Sequence, residues 1–129
     1  MQERPMRIEW SHDHQVAKRM DDILSFEDEA QAYEEIAAMG FHAMAIDFPA
    51  EENELHWHDF DSVVYVTAGE VTLSLENGES ATCQRGAKIV ASAGVAHREK
   101  TSGYSAILGF SVAPETLTQP VNKPLPVSV

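Results

Sequence analysis

The chain has 129 residues, of which 43% are hydrophobic, and a formal net charge of -12. This length fits one domain with a moderate core, and the hydrophobic content excludes general disorder. The acidic balance argues against nucleic acid as a partner, because phosphates need a basic surface.

The single cysteine, Cys83, excludes an internal disulfide framework and a cysteine-rich zinc module. The N-terminal residues lack the pattern of a signal peptide, and no apolar run approaches the length of a membrane span. We therefore expect a cytoplasmic protein without a membrane partner. Of the 21 acidic residues, 14 lie within the first 54, which predicts a solvated acidic face.

The N-terminal part of the chain is predicted to be helical. Residues 1–11 have no clear period and are expected to form an arm, and a weak helical pattern follows over residues 13–23. The stretch SFEDEAQAYEEIAAMG predicts a helix that Ser25 caps and Gly40 ends. Its apolar face is expected to comprise Ala30, Tyr33, Ile36 and Ala37.

After this helix the pattern indicates strands. FHAMAIDF alternates and stops at Pro49. SVVYVTAGEVTLSLENGES predicts strands over residues 62–67 and 70–76, with a break at Ala68-Gly69. The Asn77-Gly78 pair predicts a type I′ hairpin turn.

Further strands are predicted in ATCQRGAKIVA, around a turn at Arg85-Gly86, and in YSAILGFSV, after Ser102-Gly103. The last 16 residues contain four of the six prolines, which predicts an extended arm or an edge strand. A helical start followed by six to eight short strands predicts an all-β sandwich or small barrel.

Three histidines form the strongest candidate site. His56 and His58 are two residues apart, so on a strand their side chains would project from the same face. His97 follows a glycine-containing turn, and the intervening chain is long enough to return it to that pair. Imidazole suits zinc, iron, copper or nickel, so the three side chains predict a metal site.

The spacing of these residues resembles the two motifs of the cupins, a superfamily of small β-barrels. The first motif is glycine, five residues, His-x-His, three or four residues, glutamate, six residues and glycine. The second is glycine, five residues, proline-x-glycine, two residues, histidine, three residues and asparagine. Six of these ten positions are matched in register, by His56, His58, Gly69, Gly86, Gly94 and His97.

The resemblance implies an all-β, cupin-type jelly-roll barrel, also called a double-stranded β-helix, over residues 41–113. A helical N-terminal extension would precede it over residues 1–40, and a proline-rich C-terminal arm would follow over residues 114–129. It also implies a divalent transition metal, either iron, nickel, zinc or copper. The implied ligands are His56, His58 and His97.

Four motif positions differ from the cupin pattern. Ala50, Ser92 and Thr101 replace a glycine, the proline and the asparagine, and Ser62 replaces the usual carboxylate ligand. A serine hydroxyl is short, neutral and normally protonated, so it replaces a carboxylate poorly. Asp61 faces away from Ser62 on a regular strand, and only a β-bulge would turn it inward. The fourth ligand is therefore open between Asp61, Ser62 and water.

Two functions fit this site. A metal with three imidazole ligands and open positions can bind dioxygen, or it can lower the pKa of water. Cupin dioxygenases that use three histidines, acting on thiols and β-diketones, are the precedent that the resemblance gives, so a dioxygenase-like oxidoreductase is one expectation. Without the carboxylate the site is more cationic, which favours a small anionic ligand. The alternative is a non-catalytic, ligand-binding or dimerisation cupin with a vestigial metal site.

No general base is assigned from the sequence. Asp61, Glu99 and Tyr104 lie near the motifs, but solvated or packing roles are the expectation for each. Cys83 is expected to be a small core residue rather than a nucleophile. His12 and His14 are not expected to form a second metal site, because on a helix they face different directions.

One wall of the barrel is expected to comprise Ser62, Val64 and Val66. The facing wall is expected to comprise either Ile107 and Gly109, or Ala106, Leu108 and Phe110. A small barrel has strand edges to cover, so we also expect a homodimer. Part of residues 1–24 or 113–129 would lie against the partner.

Overall fold

The computed structural model describes residues 9–10 and 24–127, which contain one α-helix, α1 (Glu29–Met39), a 3-10 helix (Pro114–Thr116) and ten strands. The strands are β1 (Glu9–Trp10), β2 (Leu24–Ser25), β3 (His42–Phe48), β4 (Glu51–Glu52), β5 (His56–Trp57), β6 (Ser62–Leu75), β7 (Ser80–Gln84), β8 (Ala87–Ala91), β9 (His97–Phe110) and β10 (Lys123–Pro124). The predicted β-rich class with a short helix near the start is therefore confirmed.

Several predictions for the N-terminal part fall outside the described residues. These are the arm over residues 1–11, apart from β1, the weak helix over residues 13–23, and the two histidines His12 and His14. Within the described part, no helix has the length and apolar character needed to cross a membrane. The division of the chain at residues 40 and 113 stays a prediction.

Two long antiparallel strands organise the sheet. β6 and β9 pair along their whole length, from Ser62 opposite Phe110 to Leu75 opposite His97. The other edge of β6 pairs with β8 and then with β7, and the other edge of β9 pairs with β3, β4 and β5. The sheet does not close, because its path ends at β1 on one side and β10 on the other. This pairing places His56 of β5 directly opposite His97.

The predicted break at Ala68-Gly69 is wrong, because β6 continues through it. The pairing with β9 instead shifts register between Val66 and Ala68 and again between Gly69 and Val71. Gly69 has a φ of 74°, and a Cβ there would collide with the backbone of the facing strand at Tyr104. Glycine therefore allows a bulge that bends the strand without ending it.

The hairpin predicted at Asn77-Gly78 is present between β6 and β7, but its predicted turn type is wrong. A type I′ turn needs positive φ at both central residues, whereas only Gly78 has it here, at 94°. The Gly78 N–H donates to the Leu75 carbonyl, so Asn77 lies inside a tight turn that the left-handed glycine completes. Asn77 accepts a hydrogen bond from the Glu79 N–H through its side chain instead.

Helix α1 ends at Gly40 as predicted, with a left-handed φ of 76°, but its start and its buried face differ from the prediction. Asp28 is the N-cap and accepts from the Gln31 N–H, whereas Ser25 is already paired in β2. Only one narrow stripe of the helix faces the sheet. Its buried residues are Ala32 and Ile36, and the predicted Ala30, Tyr33 and Ala37 are exposed.

The two faces of β6 have different neighbours, as strand alternation requires. Val63 and Tyr65 pack in a cluster with Ile36 of α1 and with Ile107 of β9. Ser62 and Val64 face the opposite way and line a pocket, together with Leu108 and Phe110. The second alternative for the facing wall is thus correct for those two residues. Val66, expected on the pocket wall, instead packs in the core with Val71 and Cys83.

A polar cluster fixes α1 to the sheet. The Glu35 Oε1 atom accepts hydrogen bonds from the Tyr65 hydroxyl at 2.8 Å and from the Lys88 ammonium at 2.7 Å. Gln31 donates to the other carboxylate oxygen at 2.8 Å. Lys88 is only 7% exposed, so Glu35 neutralises a cation that the sheet buries.

The proline-rich segment folds back over the sheet. β10 pairs with β5, and the Trp57 indole donates to the Pro124 carbonyl at 3.0 Å. The Thr118 hydroxyl donates to Asp59 at 2.6 Å. The segment forms an edge strand, as its prolines predict, and it covers the strand that carries His56.

Candidate metal centre

The structure brings the three predicted histidines together. His56 lies on the short strand β5, His58 follows it, and His97 begins β9 directly opposite His56. The His56 ring centroid is 4.5 Å from that of His97 and 5.1 Å from that of His58. One nitrogen of each ring can be chosen so that all three lie within 4.8 Å of one another. Three neutral nitrogen donors at this separation could hold one metal ion.

A backbone carbonyl fixes the orientation of each ring. The Nδ1 atom of His56 lies 2.7 Å from the Glu54 carbonyl, that of His58 lies 2.8 Å from the Val121 carbonyl, and that of His97 lies 2.9 Å from the Val95 carbonyl. A carbonyl can only accept, so each Nδ1 carries the hydrogen. In the neutral imidazole, Nε2 then carries the lone pair that could bind a metal. Such outer hydrogen bonds are typical of histidines that ligate metals.

Burial keeps two of these rings in the form that a metal needs. His56 is 4% exposed, and burial lowers its pKa below the ordinary value for histidine. Burial likewise lowers the pKa of His58, to about 4. These two imidazoles are therefore neutral at pH 7, and an ion does not have to displace a proton from them. The residues present fit a divalent transition metal.

The structure also resolves the orientation of Asp61. The Asp61 side chain is exposed, and its Oδ1 atom accepts from the Ala93 N–H at 2.8 Å, so no bulge turns it towards the histidines. Ser62 is 6% exposed and lines the pocket, where its hydroxyl replaces the larger carboxylate of the motif.

A carboxylate nevertheless lies beside the histidines, at a position for which the sequence predicted a solvated or packing role. The Oε1 atom of Glu99 is 3.5 Å from His56 Nε2, and its Oε2 atom is 3.3 Å from His97 Nε2. Burial alone would raise the pKa of Glu99, but interactions with His97, Asn53 and His56 outweigh it and hold this pKa at about 2. Glu99 is two residues after His97, so the alternation that pairs His56 with His58 could have placed it on the same face.

A pocket of about 300 Å³ opens onto the histidines. Its walls are mostly apolar side chains: Met44, Ile46, Phe48, Val64, Leu73, Ile89, Leu108 and Phe110. Tyr104 also lines it and stacks on Phe48, with ring centroids 4.7 Å apart. Burial, and then the charge of Glu99, raise the pKa of Tyr104, so its hydroxyl stays protonated at pH 7. A small ligand with an apolar body fits such a site.

Cys83 does not belong to the candidate site. Its side chain is fully buried in the core, and burial raises the pKa of its thiol to about 12. A thiol of this kind is not ionised at neutral pH, so it is a poor nucleophile. This environment matches the core role expected for it.

Two further parts of the candidate metal centre, Asn53 and the C-terminal segment, were not predicted from the sequence. Asn53 exchanges hydrogen bonds with Glu99 through both side chains and backbone, and no motif marks it. The Val121 carbonyl holds His58, and Leu117 and Val121 line the pocket. A backbone carbonyl has no sequence signature, so this contribution of the C-terminal segment could not be derived from residue types.

The sequence is matched by no protein-family model and by no curated protein. Solved structures do resemble it. Protein NMB1881 from Neisseria meningitidis is 24% identical, with a TM-score of 0.50 over 57% of this chain and 75% of that one. DMSP lyase DddQ from Ruegeria pomeroyi is 21% identical, with a TM-score of 0.51 over 64% of this chain and 45% of that one. An RmlC-like cupin from Shewanella frigidimarina is 26% identical, with a TM-score of 0.47 over 57% of this chain and 68% of that one.

Proposed function

This chain has the cupin fold, and on that premise we propose that it binds a small molecule at a divalent transition metal held by His56, His58 and His97. One observation carries the proposal. Each of the three rings contacts a backbone carbonyl through Nδ1, which puts the lone pair of the neutral ring on Nε2, and one nitrogen of each ring lies within 4.8 Å of the other two. A histidine cluster formed only by packing would not need this arrangement in all three rings.

The pocket supports a small organic ligand with an acidic group. Its volume of about 300 Å³ is at the lower end of the usual range for ligand sites, and its walls are largely apolar. A divalent cation held by neutral imidazoles would concentrate positive charge at the histidines, where an anionic donor could bind to it directly, and the carboxylates of Glu51 and Glu99 lie on the pocket wall. An anionic oxygen donor on an apolar body is therefore the expected ligand.

A metal at this position would supply Lewis acidity or a site for dioxygen. The protein residues would exclude water from the apolar side of the pocket and orient the ligand. Glu99 and Tyr104 offer a carboxylate and a protonated hydroxyl on the pocket wall. These polar groups favour catalysis, with a dioxygenase-like oxidoreductase as the working assignment, over a non-catalytic cupin with a vestigial metal site.

The test is metal content of untagged protein, measured by mass spectrometry. We expect near-stoichiometric iron, nickel, zinc or copper in the parent protein, and its loss in His56→Ala, His58→Ala and His97→Ala. His42→Ala is the matched control, because His42 is an exposed histidine on β3 and should leave metal content unchanged. Circular dichroism would verify that each variant remains folded.

The outcomes separate the two functions. Loss of metal only in the three site variants supports the metal centre, and the identity of the metal then selects the substrates to assay for oxygen consumption. A parent protein that stays metal-free after reconstitution with each of the four metals contradicts the proposal. The vestigial alternative would then be the better description.

We also propose that the chain forms a homodimer. β3 pairs with β9 along one edge, and its residues Ala43, Met44 and Ala45 are exposed. An apolar edge strand is a site where another chain can pair. Light scattering at micromolar concentration should give twice the monomer mass, whereas a monomer mass would contradict this proposal.

A further inference from the structure

Glu99 has an unusual position relative to the imidazoles. Its two carboxylate oxygens each lie near the Nε2 atom of a different histidine, at 3.5 Å from His56 and 3.3 Å from His97. The side chain is 23% exposed and projects from β9 on the same face as His97. A carboxylate thus lies directly beside the atoms that would bind the metal.

These contacts bring the carboxylate to the metal-binding side of the rings. His56 and His97 contact backbone carbonyls through Nδ1, so the ring atoms that face Glu99 are the Nε2 atoms. Among the described residues, no lysine or arginine forms an ion pair with Glu99.

The distances fit ligands of a common ion better than hydrogen bonds. A charged N–H···O hydrogen bond is typically about 2.7–2.9 Å long. Two atoms bound tetrahedrally to one zinc ion by bonds of about 2.0–2.1 Å lie about 3.3–3.4 Å apart. The separations, 3.5 Å from Oε1 to His56 Nε2 and 3.3 Å from Oε2 to His97 Nε2, are near this value, so each oxygen lies at ligand distance from one of the two rings.

Asn53 fixes the carboxylate in this position. Its side-chain amide donates to Glu99 Oε1 at 2.7 Å, and its Oδ1 atom accepts from the Glu99 N–H at 2.7 Å. The Asn53 N–H also donates to the Glu99 carbonyl at 3.1 Å. A ligating carboxylate is usually held by such outer hydrogen bonds, which raise affinity by fixing its orientation in advance.

From these contacts we propose that Glu99 is the fourth protein ligand of the metal. The carboxylate missing at Ser62 would then be supplied by β9, two residues beyond His97, instead of by the strand that follows His58. This inference rests on the proposed metal centre. It makes the complete ligand set three imidazoles and one carboxylate, with Asn53 as a positioning residue.

The test is titration of Co²⁺ into metal-free protein. Calorimetry measures the affinity, and the visible spectrum of the bound ion reports its ligands. Glu99→Gln keeps the size of the side chain and an oxygen for Asn53 but removes the anionic donor. We expect its affinity for Co²⁺ to fall at least tenfold and the visible bands to change in position and intensity. The spectrum matters because it reports a change of ligand that a merely electrostatic role would not cause.

Glu52→Gln is the matched control. Glu52 is an exposed carboxylate on β4 that does not line the pocket. The variant removes the same charge from a neighbouring strand, and we expect an affinity within about twofold of the parent protein and an unchanged spectrum.

The possible results are distinguishable. A parent protein that binds no Co²⁺ overturns the metal centre and this inference together. A parent that binds Co²⁺, with a Glu99→Gln variant that has parental affinity or a parental spectrum, overturns the role of Glu99 alone. Thermal unfolding of the metal-free variants would verify that a lower affinity does not reflect loss of the fold.

Discussion

At the scale of single residues, the carbonyl partners of the histidines determine what the site can do. Rings that were free to rotate would present either nitrogen and would lose conformational freedom on binding an ion. Here Glu54, Val121 and Val95 provide the three carbonyls that fix the ring orientations. The donor atoms are arranged before any ion binds, which is the usual basis of tight binding.

A second prediction for a single residue concerns Glu35, whose charge should make the stability of the protein depend on pH. Burial would raise the pKa of Glu35, but hydrogen bonds from Lys88, Tyr65 and Gln31 outweigh it and lower this pKa below 4.5. A carboxyl whose folded-state pKa is depressed stabilises the fold above its unfolded pKa and loses that contribution as the pH falls. The stabilisation should therefore be present at pH 7 and decline below about pH 4.5.

Glu35→Gln should lower the free energy of unfolding at pH 7 by about 2 kcal/mol, because it leaves the buried Lys88 without a charged partner. The difference from the parent protein should shrink at pH 3.5, as measured by urea unfolding at both pH values. Glu34→Gln changes an exposed neighbour on the same helix and should have little effect. An equal difference at both pH values would rule out the charge of Glu35 as the cause.

At the scale of secondary-structure elements, the closest contact between α1 and the sheet depends on a missing side chain. A Cβ atom at Gly109 would lie 2.9 Å from a methyl of Val63 and 3.0 Å from two side-chain carbons of Ile36. The backbone of Gly109 needs no left-handed conformation, in contrast to Gly69 and Gly78. Its smallness, rather than its flexibility, is what lets the helix approach β6 and β9.

Gly109→Ala should therefore destabilise the protein by about 1–3 kcal/mol through overpacking. Ile36→Ala should be costly in the parent protein but less costly in the Gly109→Ala background, because it removes two of the clashing carbons. A double-mutant cycle of unfolding free energies measures this coupling. Strictly additive effects would mean that the two residues do not compete for space.

At the scale of the whole molecule, spacing along the sequence predicted the fold and the meeting of the three histidines. Strand alternation and motif register are global patterns, so replacement of a carboxylate by Ser62 did not hide them. Local details were harder to predict. The sequence at Gly69 predicted the end of a strand. Gly69 instead forms a β-bulge, because β9 pairs with β6 on both sides of it. The position of Glu99 beside the histidines could have been predicted by the same strand alternation that was applied to His56 and His58.

The C-terminal segment could not be placed from its composition. Prolines predict that it is not a central strand, but they do not tell which part of the sheet it covers. The contacts of Trp57 with Pro124 and of His58 with Val121 depend on backbone carbonyls, which every residue has.

The hydrogen bond from His58 to the Val121 carbonyl couples two equilibria, the binding of a metal ion and the docking of the C-terminal segment. Whatever free energy an ion gains from a correctly oriented His58 is gained only when the C-terminal segment is docked, so binding of the ion must also favour docking, by an equal amount. A binding partner, a fused tag or a proteolytic cut that draws this segment away would therefore compete with the metal from a distance, without touching any of its ligands.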